Sequence, residues 1–159
     1  MTSRLLTTWT EHDSALQEIL DLSPKSLLIF DEDLSPLKLE NPARIAALNR
    51  LLSSRQEGSQ LTIVVQKSEF VRQYSPQLIK LLRVYSPTLQ IIHAPPQLEA
   101  RKDSLLIADD KHALVRFHRD HARSRLITDD VQECKPYRKR FDEILGEGGD
   151  PIGATTLGL

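Results

Sequence analysis

The sequence predicts an α/β fold: a mixed, mainly parallel sheet flanked by helices, with a C-terminal antiparallel hairpin. Three observations predict it. Short apolar runs alternate with amphipathic helical stripes through residue 92. The connections between those runs are long enough for crossover helices. Two later apolar runs, at 104–108 and 113–117, are separated by only four polar residues, which suits a hairpin.

The elements follow in order. An N-terminal helical segment covers residues 1–22, with its helix over 10–22. Thr10 is a candidate N-cap, and Ala15, Leu16, Ile19, Leu20 and Leu22 form a stripe. A single α/β domain then covers 23–159. Its first buried strand is Ser26-Leu27-Leu28-Ile29-Phe30, closed by the acids Asp31, Glu32 and Asp33. Asn41-Pro42 opens a helix as N-cap and first helical residue. Ile45, Leu48, Leu51 and Leu52 give that helix its apolar face, and Gly58 lies beyond its end. Residues 61–65 form the second buried strand. Ser75-Pro76 starts a helix that runs to about Tyr85, with Leu78, Ile79, Leu81 and Leu82 inward. Residues 89–92 form the third strand, closed by Pro95-Pro96. The hairpin turns at Asp109-Asp110-Lys111-His112, and residues 124–128 add an edge strand. Asp130 caps the last helix, which runs to Leu145 with Cys134, Tyr137, Phe141 and Ile144 in its stripe. For the tail at 150–159, a frayed end and a final strand at 154–159 both stay open.

Composition narrows the function classes. The chain has 159 residues, which suits one domain. Hydrophobic residues at 40% and charged residues at 27% exclude a wholly disordered chain. A net charge of −1 excludes a function resting on bulk positive charge, but not a local basic patch. Cys134 is the only cysteine, so neither an intrachain disulfide nor a four-thiolate zinc site can form. No apolar run has the length of a membrane span. A reducing cytoplasm is the expected setting, with no membrane partner and no cofactor.

Residues 101–146 read as a strand, an acidic turn, a second strand, a polar stretch and a helix carrying Phe141. That order resembles the second half of a phospholipase D-like repeat. The features Ile29-Phe30-Asp31-Glu32-Asp33-Leu34, Ala108-Asp109-Asp110 and Gly149-Asp150-Pro151 add to the likeness. The chain from residue 23 to 159 thus resembles small bacterial proteins of unknown function with one such repeat, sometimes fused to acetyltransferase domains. In the superfamily, a His-x-Lys-x4-Asp motif supplies a nucleophilic or acid–base His and a phosphate-binding Lys. The register here gives Lys102, Ser104 and Asp109 at those three positions. The resemblance therefore implies a degenerate site with its catalytic His and Lys replaced. A homodimer, as in members that assemble two motifs across subunits, would only bring two such sites together.

Three functional readings follow. The leading one is a non-catalytic accessory or binding module that contacts an anionic partner such as nucleic acid. The basic residues Arg116, Arg119 and Arg123 would carry that contact. The first alternative is a Mg²⁺-dependent phosphate-handling enzyme. Asp31 and Asp33 at a strand end would hold the cation, and Lys67 would hold the phosphate. The second alternative is a structural partner of an acetyltransferase. His118-Arg119-Asp120-His121 has a metal-like spacing on a helix, but the surrounding arginines oppose a cation.

Overall fold

The computed structural model describes residues 2–54 and 56–154. It holds one eight-stranded sheet with strand order β1-β7-β6-β5-β2-β3-β4-β8. The strands are β1 (Thr2–Leu6), β2 (Ser26–Asp31), β3 (Gln60–Val65), β4 (Leu89–His93), β5 (Ser104–Ala108), β6 (His112–Arg116), β7 (Ser124–Thr128) and β8 (Asp150–Pro151). The helices are α1 (Trp9–Asp21), α2 (Pro42–Ser53), α3 (Glu69–Tyr74), α4 (Pro76–Tyr85) and α5 (Val131–Gly146).

The sheet is mixed, but it is not mainly parallel. Only β2–β3 and β3–β4 run parallel; the other five neighbouring pairs run antiparallel. For the β5–β6 and β6–β7 pairs the reason is chain length between strands. The β2–β3 and β3–β4 connections carry helices, as parallel neighbours need. The links from β5 to β6 and from β6 to β7 are too short for a crossover helix, so those strands can only turn back. The strand at 124–128 is not an edge either, because β1 pairs with it.

Successive residues of each strand feed two cores. Leu27 and Ile29 join Leu106, Leu114 and Leu126 on the face covered by α1, α2 and α4. Leu28 and Phe30 join Leu105, Ile107, Val115 and the α5 residues Cys134, Phe141 and Ile144 on the other. Along the central strands β2, β5 and β6 both sheet faces are therefore buried, and period-two alternation sorts their side chains between the two layers. Leu6 of β1 and Ala15, Leu16, Ile19 and Leu20 of α1 lie in the same cluster as the β2 and β3 residues.

Helix α1 starts earlier than Thr10. Thr8 is the N-cap, accepting from the Glu11 backbone N–H, while the Glu11 carboxylate accepts from the Thr8 backbone N–H. This reciprocal capping box outcompetes Thr10 as a start. Asn41 and Asp130 cap α2 and α5 as expected, accepting from Ala43 and Glu133. Of the tail, residues 150–151 form β8 and pair with β4. Beyond Ala154, the expected strand at 154–159 lies outside the described residues. Among the described residues, no helix is long and apolar enough to cross a membrane.

Candidate functional site

Among the described residues, one end of the sheet gathers most of the buried polar groups. The register places Leu6 opposite Ser124, Ser124 opposite Arg116, and Arg116 opposite Ser104. Phe30 pairs with Leu105, which brings Asp31 beside Ser104. Asp31 is two residues beyond Ile29, Ser104 two before Leu106, and Arg116 two beyond Leu114. All three therefore face the α1 side.

These residues form a closed network. Arg116 Nη2 donates to Asp31 Oδ1 at 2.8 Å, and the Ser104 hydroxyl donates to the same oxygen at 2.6 Å. Asp31 Oδ2 accepts from the backbone N–H groups of Asp33 and Leu34 at 3.2 and 2.8 Å. The carboxylate thus accepts four hydrogen bonds, its full complement. Arg116 Nη1 donates to the Arg119 carbonyl at 3.3 Å, while Nε is buried without a partner. The guanidinium carbon sits 5.2 Å from the centre of the Trp9 ring, a cation–π contact.

Above this floor runs a rim of paired and unpaired charge. Gln66, just beyond β3, donates to the carbonyls of Leu98 and Arg101 at 2.7 and 2.9 Å and accepts from Arg119. Arg119 also pairs with Glu32 at 3.0 Å, and its backbone N–H donates to the Lys102 carbonyl at 2.7 Å. Lys67 pairs with Glu32 at 3.4 Å but stays 62% exposed. Lys102 and Arg123 are exposed. Gln66, Lys67, Glu99, Lys102 and Arg119 line a hollow of about 280 Å³.

Arg119 also lines a neighbouring cleft of about 390 Å³, together with Trp9, His12, Asp13, Glu32 and Lys38. Behind the cleft residue Asp13 lies Arg44. Though buried, it donates to the carbonyls of Leu37 and Asp13 and pairs with the Asp13 carboxylate at 3.0 Å. Among the described residues, His12 is the one histidine lining either hollow. It is 2% exposed. Burial pushes its pKa down to about 4, and the Arg116 charge adds to that fall. His12 is therefore neutral near pH 7, with its ring almost wholly buried in the cleft wall.

The structure treats the expected site residues differently. Lys102 and Ser104 lie at this end, Lys102 on the rim and Ser104 inside the network. Asp109 does not join them. It sits at the far end of β5, where its carboxylate accepts from the backbone N–H groups of Lys25 and Ser26 at 3.0 Å each. Its role there is to tie the hairpin turn to the start of β2. Arg116 is not an exposed anion-binding residue, because Asp31 holds it in the interior; Arg119 is half-buried and Arg123 exposed. Asp31, Asp33 and Lys67 do not converge. Asp31 has no free lone pair for a cation, Asp33 accepts from the Ser35 N–H and hydroxyl, and Lys67 turns to Glu32. Among the described residues, no group of three His, Cys, Asp or Glu could hold a metal ion, although the His118 and His121 rings lie 5.2 Å apart. Cys134 is buried on α5, and burial pushes its thiol up to about 11. Sequence reasoning did not single out Trp9, Arg44 or Gln66. The Thr8-x-x-Glu11 box was the available signal for Trp9, since it puts that residue at the first helical position.

The family model described as "Domain of unknown function (DUF7931)" matches residues 8–148. No curated protein matches the chain. Among solved structures, TrmBL2, described as an archaeal chromatin protein with a novel mode of DNA binding, superposes with a TM-score of 0.69 at 16% identity. The match covers 96% of this chain and 55% of that one, so the chain spans about half the length of that protein. Nuc from Salmonella typhimurium, a phospholipase D family member, gives 0.59 at 11% identity over 96% and 98% of the two chains. NucT from Helicobacter pylori gives 0.57 at 16% identity over the same shares. The chain therefore shares the mixed α/β fold of the phospholipase D family members.

Proposed function

The chain belongs to the family described as "Domain of unknown function (DUF7931)", and we propose that it acts as a non-catalytic phospholipase D-like module that holds nucleic acid at one end of its sheet. One observation carries this reading. The position of the motif's phosphate-binding Lys is Ser104, and its hydroxyl is committed to Asp31, which is itself committed to Arg116. The floor of the site is closed by its own ion pair instead of being open to a phosphodiester.

Covalent phosphodiester chemistry needs an exposed nucleophile with an acid–base partner. Lys102 stands at the motif's His position, and His12 is buried against Trp9. What the rim offers anions is positive charge: Lys67, Lys102 and Arg119 line the hollow beside the closed floor, and Arg123 is exposed just before β7. The acids Glu32 and Glu99 temper that charge, so binding is weak and depends on multiple contacts. The DNA binding of the archaeal chromatin neighbour supports nucleic acid as the first anion to test. The lone buried Cys134 supports a reducing, cytoplasmic setting. No observation favours an acetyltransferase partner or a homodimer.

Hydrolysis and binding are tested side by side. The purified chain is incubated with bis-p-nitrophenyl phosphate and with plasmid DNA, with and without Mg²⁺. Expected are no turnover, measurable binding of labelled DNA by anisotropy at low salt, and no Mg²⁺ shift in Tm beyond that of NaCl at equal ionic strength. Turnover lost in Lys102→Ala would show an active site. A Mg²⁺ shift lost in Asp31→Asn would favour the metal-dependent alternative.

A further inference from the structure

Trp9 is the only tryptophan in the chain, and it is not in a core. It remains 45% exposed at the first position of α1, on the wall of the 390 Å³ cleft. Exposure of a single large apolar side chain is ordinary, and Tyr74 and Val84 are more exposed still. The orientation of Trp9, however, is fixed. The Thr8–Glu11 box pins the helix start, the Arg116 guanidinium lies over the ring at 5.2 Å, and the His12 ring meets it edge-on at 5.6 Å. Because Asp31 holds Arg116 in turn, the platform is built on the buried network and not on a mobile loop.

The cleft has the size of a small-ligand site, where pockets of ~300–1,000 Å³ are usual. Its second wall is Arg119, which also lines the adjoining hollow with Lys67 and Lys102. One side of Arg119 thus offers an aromatic surface, and the other offers cations. A duplex cannot use both, because its bases are stacked on each other. A single strand presents its bases and its phosphates separately, and such strands are bound by aromatic platforms beside basic grooves. We propose that Trp9 is a stacking platform for one unpaired base of a single-stranded nucleic acid, whose phosphates lie along Arg119, Lys67 and Lys102. The inference rests on the nucleic-acid reading above and narrows it to single strands.

Trp9 itself reports on the test, as the sole source of tryptophan fluorescence. The full chain is titrated with an oligothymidylate of about ten nucleotides, with an abasic oligonucleotide of equal length, with the corresponding duplex, and with thymidine monophosphate. Fluorescence and anisotropy are followed together. The expected result is quenching by the oligothymidylate that saturates together with anisotropy. The abasic strand should bind about tenfold more weakly and should not quench. Trp9→Ala should cost about tenfold on the oligothymidylate and leave the abasic strand unchanged, with Trp9→Phe retaining most of the affinity. If Trp9→Ala does not fold, the abasic comparison on the natural chain and Trp9→Phe decide the matter. Equal binding of the normal and abasic strands without quenching overturns the platform and leaves the nucleic-acid reading standing. Binding of no strand and no duplex overturns both. Quenching by the mononucleotide as tight as by the oligonucleotide overturns a strand in favour of a small nucleotide ligand.

Discussion

The guanidinium of Arg116 meets the carboxylate of Asp31 at 2.8 Å, with side chains 1% and 0% exposed. The pair joins β6 to the end of β2 across β5, and it holds the guanidinium that lies over the Trp9 ring. Taking two charges out of water is expensive, and the pair is repaid only because further hydrogen bonds complete Asp31.

Breaking one side of this pair is therefore the sharpest stability test. Arg116→Met leaves a buried carboxylate without its cation and is expected to cost about 3–5 kcal/mol. Asp31→Asn combined with Arg116→Met leaves no buried charge and should recover a large part of that loss. Urea denaturation of the two single variants and the double variant measures the coupling. Additive losses would show that the two residues do not act as a pair.

Much of the fold is legible in the sequence, and the illegible parts share a physical cause. The strands at Leu27, Leu105 and Leu114 announce themselves because both sheet faces are buried there, so their runs are continuously apolar; those at Leu61 and Leu89 are interrupted only by Thr62 and Gln90. Strand β1 does not, because Thr2, Ser3, Arg4 and Leu5 are exposed and only Leu6 is buried. It exists through pairing with β7, some 120 residues away in the chain, which no local pattern encodes. The site was half legible. Lys102 and Ser104 could be placed by the spacing to Asp109, but that spacing cannot tell that Asp109 works at the opposite strand end. Arg116 read as surface charge because a lone Arg in a strand normally is solvated. Its partner lies 85 residues back, and only the sheet order makes them neighbours.

His12 gives the folded chain a pH dependence of definite sign. Its pKa is about 4 in the fold, first from burial and then from Arg116, against 6.5 when unhindered. The unfolded chain therefore takes up the proton first as pH falls. Stability from this group is complete above about pH 6.5, declines as pH falls toward 4, and changes no further below that. The full decline is worth about 3 kcal/mol. His12→Phe removes the titration, so its stability should fall less steeply than that of the natural chain between pH 6.5 and 4. Parallel curves for the two proteins would show that His12 does not carry the effect.

Salt dependence separates the exposed rim from the buried floor. Each single-strand phosphate neutralised by Lys or Arg contributes about −0.7 to the slope of log affinity against log salt. Two or three contacts by Lys67, Lys102, Arg119 and Arg123 should give roughly −1.4 to −2.1 on that rule. Arg123 and Lys102 are exposed, and no ion pair described here holds either side chain. Lys102→Ala with Arg123→Ala should therefore flatten the slope without a loss of stability. Arg119→Ala acts differently, because it also frees Glu32 and Gln66 from a bond. Glu32, then held by Lys67 alone, is less well neutralised and repels phosphate, so affinity should drop further than the lost contact alone explains. Arg138 provides the control. It is tied to Asp110 and Asp142 at 2.6 and 3.0 Å, near the opposite end of β5, so Arg138→Ala should leave both affinity and slope unchanged. A slope that responds to Arg138 and not to Lys102 or Arg123 would move the interface to the α5 side of the hairpin turn.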